Sequence, residues 1–155
     1  MSFRITGLDP RQFSHLYGLT DEQLADAGAR RYLVNGCPGF PDRIELRDLD
    51  VGETALLVNY VHQPADNPYR ASHAIFVREG ATERYQAVDE IPSVIGTRTI
   101  SLRAFDHEHM MVAGELVDGS GIEAAIERML DRREVAYLQA HYATRGCFAA
   151  RIERA

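Results

Sequence analysis

Apolar and polar residues alternate along much of this chain, the pattern of strands with one buried face, and only a few stretches show the three-to-four-residue spacing of an amphipathic helix. Together with β-prone apolar runs, the alternation predicts strands over residues 3–6, 31–34, 43–46, 54–62, 73–78, 84–88, 99–105, 110–117, 135–142 and 148–153. A helical stretch is expected over residues 10–17. Thr20-Asp21-Glu22-Gln23 reads as a capping box opening a short helix through Leu24 and Ala27, which Gly28 ends. Ser120-Gly121-Ile122-Glu123 reads as a second box. The helix it opens carries Ile122, Ala125, Ile126, Met129 and Leu130 at helical spacing. Two prolines and two glycines within residues 35–41 predict an irregular loop.

Strict alternation of strand and helix is absent, so parallel crossover units are not expected. The fold class that follows is α+β, a mostly antiparallel sheet with two to three helices packed on one face. At 155 residues the chain is long enough for one hydrophobic core and short for two, so a single globular domain over residues 1–155 is expected.

Charge and composition then narrow the function. The formal net charge is -6 and no stretch concentrates positive charge, which argues against nucleic acid as a partner. No apolar run approaches membrane-spanning length, and the first residues carry no continuous apolar segment before Asp9, so neither membrane insertion nor export is expected and the expected location is cytoplasmic. Cys37 and Cys147 then read as reduced thiols. All 17 basic residues are arginine. The absence of lysine removes Schiff-base chemistry, pyridoxal phosphate anchoring, the P-loop and the kinase lysine, because a guanidinium cannot replace an amine in any of them. HExxH, CxxC, GxSxG and GxGxxG are absent too, and no cofactor is expected.

The densest candidate chemistry lies where the predicted strands 54–62 and 73–78 meet their connecting loop. Antiparallel pairing puts Val58, Tyr60 and His62 on one face of the first strand, with His73, Ile75 and Val77 on the matching face of the second, and predicts that His62 and His73 face each other. The loop adds Tyr69, Arg70 and Ser72. Imidazole, phenol and guanidinium groups around one concavity suit a small anionic ligand and proton transfer near neutral pH. The plainer reading is that these groups satisfy the backbone of a long loop. A second cluster, His141 to Phe148, contains Arg145 and Cys147. It predicts either a thiol nucleophile served by a histidine or an inert buried cysteine. The turn at His107-Glu108-His109 reads as a solvated hairpin tip rather than a metal site.

The strings Phe3-Arg4-Ile5-Thr6-Gly7-Leu8, Asn59-Tyr60-Val61-His62-Gln63-Pro64, the run from Pro68 to Val77, Ser101-Leu102-Arg103-Ala104-Phe105-Asp106 and Gly146-Cys147-Phe148-Ala149-Ala150-Arg151-Ile152 resemble a bacterial family known as domain of unknown function 1203. The resemblance extends over nearly the whole chain. It implies no activity, cofactor or catalytic residue. Members of that family often have cysteine where this chain has Asp42, so no thiol role in the first half is carried over.

Two functions from different classes follow. In the first, His62, His73 and His141 are acid/base candidates and Cys147 a candidate nucleophile, while Tyr69, Arg70, Ser72 and Arg145 hold a small anion that Asn59 and Tyr60 orient. In the second, the chain is a non-catalytic interaction module that forms a homodimer over an exposed strand edge, with arginine and tyrosine serving the interface.

Overall fold

The computed structural model describes all residues 1–155. Nine strands divide between two antiparallel sheets. A six-stranded sheet has the order β5-β1-β9-β8-β6-β7, from β1 (Phe3–Thr6), β5 (Gln86–Val88), β6 (Thr99–Phe105), β7 (Met111–Asp118), β8 (Tyr137–Tyr142) and β9 (Phe148–Arg154). A three-stranded sheet has the order β2-β3-β4, from β2 (Arg30–Leu33), β3 (Thr54–Gln63) and β4 (Ala71–Arg78). The α+β class and antiparallel pairing agree with the sequence pattern. Alternation reveals which residues share a face but not which strands share a sheet, and only the tertiary pairing splits the nine into two.

One face of the large sheet is apolar and the other polar. Phe3, Ile5, Ile100, Leu102, Ala104, Leu138, Ala140, Ala150 and Ile152 join one buried cluster with Ile122, Ala125, Ile126, Met129 and Leu130 of α3 (Ile122–Leu130). Val94 and Ile95 of α2 (Ser93–Gly96), a short helix that the sequence pattern does not announce, complete that cluster. Fully burying each of its Val, Leu, Ile and Phe side chains contributes roughly 1.5–3 kcal/mol. Gly119 lets the turn before α3 close on α2: a Cβ there would lie 2.3 Å from the Ile95 carbonyl oxygen.

The small sheet packs Leu56, Val58, Ile75 and Val77 into a second cluster with Phe13, Leu16, Ile44 and Phe148. Leu24 of α1 (Asp21–Asp26) enters the same cluster. The predicted capping box on α1 is present, with Thr20 Oγ1 accepting from Gln23 N and Gln23 Oε1 from Thr20 N.

Three local expectations differ from the structure, each for a physical reason. Residues 43–46 form no strand, because the buried Asp42 carboxylate accepts from the backbone N–H groups of Ile44, Glu45 and Arg78 and turns the chain. Residues 10–17 form two 3₁₀ turns, Pro10–Gln12 and Ser14–Leu16, the first capped by Asp9. Ser120 does not cap α3; it lies inside a 3₁₀ turn, Gly119–Gly121, that leads directly into the helix.

Candidate functional site

The polar face of the large sheet carries Arg4, Thr6, Ser101, Arg103, Gln139, His141 and Arg151, since these alternate with the core residues and pair in register: Thr6 with Arg151, Gln139 with Arg103 and Arg151, and His141 with Ser101. The end of β3 lies across the middle of that face. Gln139 is 2% exposed and His141 0%.

Gln139 is the centre of the contact. Its Nε2 donates to the His62 carbonyl at 2.9 Å, which orients the amide and aims Oε1 at two imidazoles. His62 Nδ1 and His141 Nε2 each lie 2.9 Å from that one oxygen. The two rings meet edge to face at 4.8 Å between centroids, and Phe148 stacks on His62 at 5.8 Å and 10°. With Nδ1 committed to Gln139, Nε2 is the nitrogen of His62 left for a bound molecule. Burial pushes the His62 pKa below the ordinary histidine value, and the charges of Arg103 and His73 push it the same way. Burial first, then Arg103, drives His141 down to about 3. Both rings are therefore neutral near pH 7.

Beside His62 an open cleft of about 430 Å³ runs between the two sheets. Tyr60, His62, Gln139 and Phe148 line it together with Arg4, Arg84, Arg151, Asp9 and Glu153. Both carboxylates are already matched, Asp9 by Arg11 at 2.6 Å and Glu153 by Arg151 at 2.7 Å. Arg4 and Arg84 have no carboxylate within ion-pair distance. In a chain of net charge -6, this cleft keeps a local surplus of positive charge.

The other candidate residues are distributed differently. His73 shares the face of His62, but its partner across the hairpin is Tyr60, in a register that runs unbroken from the Ala55–Arg78 pair and slips only beyond Tyr60. Its Nδ1 is committed to the Ala74 carbonyl at 2.9 Å. Arg70 donates to the Pro64 carbonyl, Tyr69 N donates to Asn67 Oδ1, and Asn67 Nδ2 reaches the Glu108 and His109 carbonyls. These bonds tie the loop down and leave Arg70 and Tyr69 outside the cleft. Asn59 is exposed on the opposite face of β3, beside Asp21 and Arg30, while Ser72 and Arg145 are exposed at turns or edges.

Cys147 is buried, and its Sγ accepts from Arg43 Nη2 at 3.1 Å rather than from a histidine. His141 Nδ1 instead faces the Gly146 carbonyl at 3.0 Å. Cys37 is exposed and unpaired. At the 107–109 turn His109 Nδ1 contacts the Tyr137 hydroxyl at 2.8 Å.

Sequence reasoning named His62, His141 and Tyr60 but not Gln139, Arg4, Arg84, Arg151 or Arg43. For Gln139 a signal existed, since Gln139 and His141 are polar positions alternating with Leu138 and Ala140 in a strand that buries both faces. The arginines come from distant strands and loops, and no local pattern joins them.

No helix is long and apolar enough to cross a membrane. Comparison with curated proteins and with solved structures finds no match to this chain. A family model matches residues 39–154, a span that contains His62, Gln139, His141, Arg151 and Cys147. The chain thus belongs to the family described as protein of unknown function (DUF1203).

Proposed function

We propose that this protein binds a small molecule bearing a carboxylate or phosphate in the cleft between its sheets, with His62 as a proton acceptor beside it. The observation that carries this reading is the pair of guanidinium groups, Arg4 and Arg84, that line the cleft without a carboxylate partner. Guanidinium binds carboxylate and phosphate oxygens through two parallel N–H donors, and a partly enclosed site strengthens the attraction relative to open water. His62 adds a neutral imidazole with one nitrogen free, the state required of a general base near neutral pH. Tyr60 gives the bound molecule an apolar wall with a hydroxyl at its edge.

Titration with sulfate, phosphate and acetate, followed by calorimetry and by the ring resonances of His62, tests this. Saturable shifts at His62 are expected, and Arg84→Ala weakens binding about tenfold, the loss of one charge-assisted contact. Unmoved His62 resonances with all three anions overturn the reading.

A second reading is an interaction module that forms a homodimer. It is favoured by β7, which pairs only with β6 and exposes Leu116 at 69% and Val112 at 37%. An open edge of this kind invites a strand from another copy. Sedimentation at low micromolar concentration tests it. A dimer abolished by Leu116→Lys supports it, and a strict monomer removes it.

A further inference from the structure

His141 is in an environment that its neutral form cannot satisfy. Its Nδ1 lies 3.0 Å from the Gly146 carbonyl oxygen and its Nε2 lies 2.9 Å from Gln139 Oε1. Both partners are acceptors, and the Gln139 amide is held in that orientation by the His62 carbonyl. A neutral imidazole has one N–H to offer. One of the two contacts therefore sets lone pair against lone pair, at a residue with no exposure to water. An imidazolium, with two N–H groups, satisfies both.

Burial does most to keep the second proton away, and the company His141 keeps adds to it. The charged and titratable groups that act on it are His62 on β3, His73 on β4 and Arg103 on β6, and none is a carboxylate. β9 contributes the Phe148 ring and, beside Gln139, Arg151, whose carboxylate partner Glu153 points along the same strand. Arg103 is half-buried and bonds only the neutral Ser101 hydroxyl. An anion in the cleft, against His62 and Gln139, supplies the negative charge that this group of imidazoles and guanidinium lacks.

We propose that His141 is the proton-holding residue of the anion site: an anion entering the cleft brings one proton with it, and that proton completes the hydrogen bonds of His141 to Gly146 and Gln139. The inference rests on the anion-binding reading above. His141 does not touch the ligand. It acts through Gln139, whose single oxygen serves both rings.

Sulfate is the probe, because it does not itself titrate near neutral pH. Calorimetry in buffers of different ionisation enthalpy is expected to show uptake of about one proton per sulfate, with affinity falling about tenfold per unit rise in pH. Nitrogen-15 chemical shifts of the imidazoles are expected to show both His141 nitrogens protonated in the complex and one in the free protein. Gln139→Glu places a carboxylate against His141 and provides the missing charge within the chain, so His141 is charged without ligand and sulfate-linked proton uptake is lost. Sulfate binding with no proton uptake, or with the proton on His62 or His73 alone, overturns the inference and leaves the anion site standing. No sulfate binding at all overturns both.

Discussion

Two buried side chains on or against the β8–β9 hairpin, Arg43 and His141, sit among acceptors, and the difference between them separates structure from responsiveness. Arg43 is 1% exposed, with Nε donating to the Phe148 carbonyl, Nη1 to the Pro41 carbonyl and Nη2 to Cys147 Sγ, while its plane lies over the Tyr142 ring at 4.9 Å. A guanidinium is donor on every nitrogen, so an all-acceptor environment suits it in its only accessible charge state. His141 meets the same kind of environment with a ring that holds either one proton or two. The first site is complete and ties the loop at 41–43 to the large sheet. The second is one proton short, and its state depends on pH and on what occupies the cleft.

The comparison is broken most severely at Arg43. Arg43→Met takes the donor from the buried Phe148 carbonyl and the half-buried Pro41 carbonyl and is expected to destabilise the fold by about 3 kcal/mol, measured by urea denaturation. A loss below about 1 kcal/mol would show that water takes over even the buried Phe148 carbonyl and that the hub is not structural.

A smaller effect sharpens the His141 side. The histidine pKa is 6.5 in the unfolded chain and about 3 in the fold, so between those values the unfolded state binds the extra proton. Stability attributable to His141 is fully present above pH 6.5 and declines as the solution is acidified toward 3, with a slope of about 1.4 kcal/mol per pH unit for one proton. His62, lowered in the same direction, adds to that slope. Glu53 and Glu79, held down to about 2 by Arg47 and Arg31 respectively, lose their contribution only as pH falls below their ordinary 4.5. Decline that begins near pH 6 is therefore the histidine signature, and saturating sulfate flattens it. Denaturation curves that stay level from pH 7 to 5 would show that His141 already carries its second proton.

The smallest effect is on thiol reactivity. Cys37 is exposed and reacts with a disulfide reagent at the rate of a free thiol, whereas Cys147, enclosed with Arg43, reacts only as the protein unfolds. Equal rates for the two would mean that the Arg43 hub opens readily in the native state.

Much of the fold can be read along the chain, because burial of one face writes a period of two into a strand and a longer period into a helix. Phe3 to Thr6, the β3–β4 hairpin, β6 with β7 and α3 follow that rule, whereas β8 is buried on both faces. The rule fails at residues 43–46, where a side chain rather than a strand claims the backbone donors. The site was legible only in part. His62 and His141 stand out as residue types, yet Arg70, equally conspicuous, turns to the Pro64 carbonyl. Gln139 looks ordinary until two rings share its oxygen.

By itself, then, the sequence determined the strand faces, the helix in the second half, the all-arginine chemistry and the exclusion of lysine-dependent mechanisms, since each is a matter of local pattern or composition. Tertiary structure alone decided that the strands part into two sheets, that a cleft with unpaired Arg4 and Arg84 opens between them, and that His141 is enclosed by acceptors. Those outcomes depend on contacts between residues far apart in the chain, such as the His62 carbonyl that fixes the Gln139 amide from 77 positions away, and pairing at such range leaves no periodic trace in the chain.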